Sequence, residues 1–166
     1  IGSYVPRKWS IDLRSIKDSG ELMSNWFDAV CGTEGVTISN HSGLSIDSRI
    51  SAGEFVSFLN RERTKELLPS LLKPRNVYGK KAKKLNASEI SIVAKTGTMD
   101  FNRGLGGYIL VKGKIRASFA IFCADVEKKQ RAIANKHFDR SSSKKWLKRA
   151  KAQENAILSL WMEKYI

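Results

Sequence analysis

No apolar run in this 166-residue chain is long enough to make a membrane-spanning helix. No signal peptide opens it and no Met precedes Ile1, as expected of an exported protein after processing or of a fragment of a longer chain. Cysteine is scarce. Cys31 and Cys123 stand far apart without metal spacing, so zinc modules are excluded, while buried thiols and a single disulfide both stay open. Histidine is equally rare: His41 and His137 have no acid or second ligand at useful spacing and are expected on the surface or in loops. No metal or cofactor is expected. The largest deficit is in acids, 16 against 30 Lys and Arg, a net charge of +14. That imbalance predicts attraction to something anionic: nucleic acid, lipid headgroups or a wall polymer. Helix-turn-helix, zinc-ligand and aromatic RNA-binding strand patterns are all missing, which argues against a nucleic-acid module. No internal repeat is present.

What is present is a chain of one domain's length, with 42% hydrophobic residues to build a core. Residues 1–17 have no clear period and read as coil. Asp18 with Glu21 can cap a helix that buries Leu22, Met23, Trp26, Phe27 and Val30 and stops at Gly32. Val36–Ile38 reads as a short strand leading into the polar loop Asn40–Ser45. Ser51-Ala-Gly-Glu54 is a capping box opening a helix through Phe55, Val56, Phe58 and Leu59. Residues 61–84 carry nine Lys or Arg and read as a short helix and a solvated loop.

The run Ile90-Ser-Ile-Val-Ala-Lys95-Thr96-Gly97-Thr98 is β-branched, apolar and alternating, hence a strand. Its two-residue period sets Lys95 and Gly97 on one face, Thr96 and Thr98 on the other. A lysine, hydroxyls and a residue without a side chain at a strand end suit an extended anionic ligand. Gly104–Gly107 reads as a turn, Tyr108–Val111 as a strand, and Lys112-Gly113-Lys114 as the turn into a strand Ile115–Ala124. Residues 127–151, with ten Lys or Arg and the Ser141–Ser143 break, read as a mobile, solvated basic insertion. The last helix carries Ile157, Leu160, Trp161 and Tyr165 on one stripe. The tryptophans are expected in core packing. The class is α+β, with an antiparallel sheet of at least three strands flanked by helices.

Two local patterns carry a resemblance. Asn40-His41-Ser42-Gly43-Leu44-Ser45 is similar to the Asp-Gly-Ser-Gly-Leu-Ser loop, and Ala94-Lys95-Thr96-Gly97-Thr98-Met99-Asp100 followed by Gly106-Gly107-Tyr108 is similar to the Ala-Lys-Thr-Gly-Thr-Leu and Ala-Gly-Tyr run, of one family. That family is the D-alanyl-D-alanine carboxypeptidases of the peptidase S13 type, low-molecular-mass penicillin-binding proteins. The chain, over most of residues 20–125, resembles their C-terminal portion. The resemblance implies a single-domain fragment, residues 1–166, of a serine β-lactamase/transpeptidase-like domain, with the basic insertion about 127–151. It implies a periplasmic or cell-envelope hydrolase of peptidoglycan stem peptides that binds β-lactams through an acyl-enzyme. By the same resemblance Lys95 supplies positive potential and assists proton transfer. Thr96 and Thr98 donate to the substrate carboxylate, Gly97 gives clearance, and the Thr98 backbone N–H forms half of an oxyanion hole. Leu44 and Met99 are read either as substrate-pocket residues or as ordinary core filling. Ile46 stands where the family usually has Arg, so no contact is carried over there.

Such enzymes also need Ser-x-x-Lys and Ser-x-Asn. Ser-x-Asn does not occur. Ser-x-x-Lys occurs at Ser70–Lys73, Ser141–Lys144 and Ser142–Lys145, all three read as coincidences; Pro74 opposes a helix continuing through Lys73. The nucleophile is therefore expected in an upstream part of the same protein, with this chain silent by itself. The partners expected are a peptidoglycan peptide or β-lactam, and an anionic envelope surface at Lys144, Lys145, Lys148 and Arg149. A non-catalytic scaffold of the same fold and a basic nucleic-acid-binding module are the competing readings.

Overall fold

The computed structural model describes residues 15–75, 89–135 and 140–165. Residues 1–14 with Trp9, the basic stretch beyond Arg75 up to 88, His137 and the Tyr165 side chain lie outside the described residues. The chain divides into two compact units, Ile1–Ile50 and Ser51–Ile166.

In the first unit, helix α1 (Ile16–Cys31) is capped by Ser15 rather than Asp18: the Asp18 N–H donates to Ser15 Oγ at 3.1 Å. Gly32 ends it in the left-handed region, where glycine carries no steric penalty (φ 64°). Phe27 is buried, and Leu22, Met23, Trp26 and Val30 are half-buried on the expected side. Gly20 lets the 38–39 backbone lie directly on the helix, since a Cβ there would meet the Ser39 carbonyl carbon at 2.8 Å. Ile38 N–H donates to Ser24 Oγ at 2.8 Å across that contact. The strand expected at Val36–Ile38 shrinks to a single bridge, Thr37 with Arg49, because side-chain hydroxyls satisfy its backbone instead.

The second unit opens with α2 (Ala52–Leu59). Its capping box closes both ways, Glu54 N–H to Ser51 Oγ at 3.1 Å and Ser51 N–H to Glu54 Oε2 at 2.6 Å. Helix α3 (Glu62–Leu71) follows, and then β1 (Lys73–Arg75), a strand where the composition of 61–84 predicts a short helix and a solvated loop. The sheet is antiparallel in the order β1-β2-β3-β4, with β2 at Ile90–Met99, β3 at Asn102–Val111 and β4 at Lys114–Ala124. The fold is α+β, an antiparallel sheet flanked by helices.

The turn expected at Gly104–Gly107 is instead the middle of β3, and the chain reverses at Asp100–Phe101, with Phe101 at φ 53°. Close approach explains these glycines. A Cβ on Gly107 would meet Ala94 Cα at 2.7 Å, and one on Gly106 would meet the Phe55 ring of α2. Lys112 and Gly113, both at positive φ, make the tight β3–β4 turn as expected.

The described residues of the basic stretch 127–151 are largely exposed, as expected of a solvated insertion, and they form helices. Helix α4 (Val126–Ala134) is capped by Asp125, which accepts from the Lys128 N–H at 3.1 Å. Helix α5 (Arg140–Tyr165) seats its first turns on the β2–β3 turn. Ser143, fully buried, donates to Asp100 Oδ1 at 2.5 Å, and the Trp146 ring meets Phe101 edge-on at 6.0 Å. Lys128, Arg131, Arg140, Lys144, Lys145, Lys148, Arg149 and Lys151 are exposed, so their mutual repulsion is screened by solvent while Ser143 and Trp146 anchor the other face of α5. Farther along, Leu158 and Met162, with Ile157 and Trp161, pack against Ile92, Ala94, Leu105, Ile109, Phe119 and Ile121. Leu160, placed on that stripe by the sequence reading, is exposed.

Candidate functional site

Site geometry follows from the hydrogen-bond phase of the sheet. Lys112 N–H donates to Glu89 O at 2.7 Å and starts the β2–β3 ladder. Bonded pairs in an antiparallel ladder recur every second residue. Lys95 with Gly106 and Gly97 with Gly104 are therefore bonded pairs, whereas Thr96 and Thr98 turn their N–H and C=O groups away from β3. On that outer side β1 faces only Ile92, Val93 and Ala94. Among the described residues no strand covers the edge from Lys95 to Met99.

Side chains reach the same edge from both faces of the sheet. Lys95, exposed on the α2 face, donates from Nζ to the Thr96 carbonyl at 2.7 Å, which brings its ammonium round to the edge. Gly97 is open: nothing lies within 4 Å of where its Cβ would be. Thr98 is exposed on the α5 face, and its Oγ1 accepts from Arg103 Nη1 at 3.0 Å. Thr96 is half-buried between them. The edge thus offers an ammonium, hydroxyls, outward amides and free space, the components that recognise an extended chain ending in a carboxylate.

Beneath Thr98 lies a buried ionic cluster. Arg103 of β3, 9% exposed, donates from Nε to Glu154 Oε2 at 2.8 Å and from Nη2 to Oε1 at 3.0 Å. Arg75 of β1 also donates to Glu154 Oε1. Glu154 itself is 1% exposed. One carboxylate thus ties three elements, β1, β3 and α5, together under the candidate edge. Beside Arg103 in the register, Cys123 has its thiol pKa pushed up, first by burial and then by the Glu154 charge, partly opposed by Arg103.

Met99 ends β2 half-buried, with Lys129 Nζ 4.0 Å from its sulfur. Leu44 belongs to the first unit and is 65% exposed. Its loop is held by local bonds: Asn40 Oδ1 accepts from the Ser42 N–H at 3.0 Å and hydroxyl at 2.7 Å, and Leu44 N–H donates to Ser42 Oγ at 3.1 Å. His41, exposed as expected, shares a 2.5 Å hydrogen bond with Ser19. Cys31 and Cys123 both carry thiols, so the disulfide left open is not formed. Ser70, in the last turn of α3, donates from Oγ to Leu67 O at 2.8 Å, while Lys73 lies in β1, so they do not share a helical face. Ser141, Ser142, Lys144 and Lys145 are exposed at the start of α5. Lys148 and Arg149 are exposed one turn on.

A cavity of about 500 Å³ lies at the far end of the sheet order, on β4, lined by residues including Phe122, Asp125, Lys128, Trp146 and Arg149. It touches none of the Lys95–Thr98 residues. The strand edge is the better candidate, because it brings an ammonium, hydroxyls and outward backbone groups together along one strand, the arrangement that takes an added strand. Among the described residues no cluster of His, Cys, Asp and Glu could hold a metal, and no helix is long and apolar enough to cross a membrane. Comparison of the chain with protein-family models, curated proteins and solved structures finds no match.

Sequence reasoning missed Arg75, Arg103 and Glu154. Arg103 had a local signal: the two-residue turn after Met99 sets it directly opposite Thr98. Glu154, 51 residues farther along, had none.

Proposed function

We propose that this chain is the C-terminal portion of a serine D-Ala-D-Ala carboxypeptidase or endopeptidase of the peptidase S13 type, an exported enzyme of peptidoglycan stem peptides. One observation carries the reading: the β2 edge that no strand among the described residues covers, where the outward backbone groups of Thr96 and Thr98 meet Lys95 and the open Gly97. A stem peptide laid along that edge pairs with those backbone groups as an added strand, and its terminal carboxylate meets the Lys95 ammonium and the threonine hydroxyls. The Thr98 N–H, directed outward, is available as one oxyanion donor.

The nucleophilic serine, its Ser-x-x-Lys lysine and the Ser-x-Asn group are supplied by another stretch of the parent protein. There the serine oxygen attacks the D-Ala-D-Ala carbonyl carbon and the terminal D-Ala leaves as its amine. Water then hydrolyses the ester. A β-lactam acylates the same serine oxygen as its ring C–N bond breaks, giving an ester that keeps the ring nitrogen as an amine. The exposed α5 cations Lys144, Lys145, Lys148 and Arg149 would hold the enzyme near an anionic envelope surface.

Acylation of the full-length parent by a labelled penicillin tests the reading. Lys95→Ala should lower the acylation rate at least ~10²-fold, the scale of losing a positioned catalytic group. Folding stability should change by less than about 1 kcal/mol, since the lysine is exposed. Thr96→Val should be milder, removing a hydrogen bond worth roughly 1.5–3 kcal/mol to a charged partner. A folded Lys95→Ala protein that acylates normally refutes the assignment.

A further inference from the structure

We infer that Arg103, seated on Glu154, is a positioning residue that fixes the Thr98 hydroxyl as a hydrogen-bond donor to an anion bound at the β2 edge. The inference rests on the function proposed above and names a mechanism within the same site. A threonine hydroxyl has one proton to give and two lone pairs to receive with. An arginine can only donate. The 3.0 Å bond from Arg103 Nη1 therefore occupies a lone pair of Thr98 Oγ1 and leaves the threonine proton free. Thr98 is exposed, so that proton faces solvent or ligand.

The guanidinium cannot turn away. Its Nε and Nη2 are both committed to Glu154, at 2.8 and 3.0 Å, and its planar fork fixes where Nη1 points. Glu154 is in turn held from a second strand by Arg75. Two guanidinium charges against one carboxylate leave a net positive charge under the edge, in a largely water-excluded place, which favours an anion above it. Nothing about an exposed threonine requires such a support for folding. As part of an anion site, the support is what makes the hydroxyl a fixed donor rather than a free rotor.

The test uses the full-length protein and two forms of one labelled penicillin, the free acid and its methyl ester. Thr98→Val should slow acylation by the acid about ten- to a hundredfold, the equivalent of one charge-assisted hydrogen bond, and leave the ester nearly unaffected. Arg103→Lys keeps the charge but loses the fork, and should give the same acid-selective loss. It should add nothing further in a Thr98→Val background. A folded Arg103→Lys protein that acylates like the parent, or losses that multiply in the double variant, would overturn the inference. So would an equal loss on acid and ester in Thr98→Val, a variant that leaves the buried cluster untouched and stands as the test if Arg103→Lys does not fold. Normal acylation in Lys95→Ala would instead bring down the proposed function, and this inference with it.

Discussion

Replacing Glu154 by glutamine should be one of the most destabilising single-atom changes available in this chain. The carboxylate receives two hydrogen bonds from Arg103 and one from Arg75, and only 1% of its side chain is exposed; the arginines stand at 10% and 19%. Glutamine keeps the volume and one acceptor oxygen, but it turns an NH₂ donor toward guanidinium donors and removes the negative charge that both arginines face. Breaking a buried pair from one side costs about 3–5 kcal/mol, chiefly because the remaining charge stays buried and uncompensated. For a chain of this size that lowers the thermal midpoint by roughly 6–20 °C. Lys17–Glu21 provides the contrast: the pair is 4.0 Å apart with side chains 81% and 66% exposed, and Glu21→Gln should cost no more than about 1 kcal/mol. Thermal and urea unfolding followed by circular dichroism measures both. Raising salt should shrink the Glu21 effect and leave that of Glu154 nearly intact. A Glu154→Gln cost below about 1 kcal/mol would show that water reaches the guanidinium groups and would refute the buried-charge argument.

Two glycines in neighbouring strands should respond oppositely. Gly107→Ala drives a methyl group into the Val93–Ala94 backbone, which cannot step aside without parting β2 from β3, and should cost at least about 3 kcal/mol by denaturation. Gly97→Ala, where the space is empty, should stay within about 0.5 kcal/mol of the parent in stability while slowing acylation of the full-length protein; the reverse order would sink the packing account. Asp125 caps α4 with its carboxyl held below the usual carboxylate range, first by the Lys128 side-chain bond and then by the Lys128 backbone N–H. A folded value below the unfolded one means the cap's contribution is complete above the ordinary carboxylate range and is lost as pH falls through the lowered value. Amide exchange in α4 should follow that course; protection already falling above the ordinary carboxylate range, or untouched below the lowered value, would contradict it. Changing Lys144, Lys145, Lys148 and Arg149 together to Ser should weaken co-sedimentation with anionic vesicles at low salt; unchanged binding would leave these cations with no role in surface attachment.

What the sequence determined by itself was local. Ser51 and Glu54 announce the start of α2, Gly32 the end of α1, and Lys112–Gly113 the β3–β4 turn, because a cap or tight turn is decided within four residues of chain. The two-residue period of 90–99 likewise divides Lys95 and Gly97 from Thr96 and Thr98 whatever surrounds the strand. Tertiary structure decided the rest. A glycine in sequence marks only a missing side chain; that Gly104, Gly106 and Gly107 serve packing rather than a turn depends on Phe55, Phe122 and Ala94 arriving against them. A run of lysines reads as a mobile, solvated insertion until Ser143 and Trp146 find Asp100 and Phe101 and anchor it as helix α5. Arg75, Arg103 and Glu154 look like three ordinary surface charges in a strongly basic chain. They become one buried cluster only because β1, β3 and α5 converge, and the low-dielectric surroundings that give such a pair its strength exist nowhere but in the folded protein.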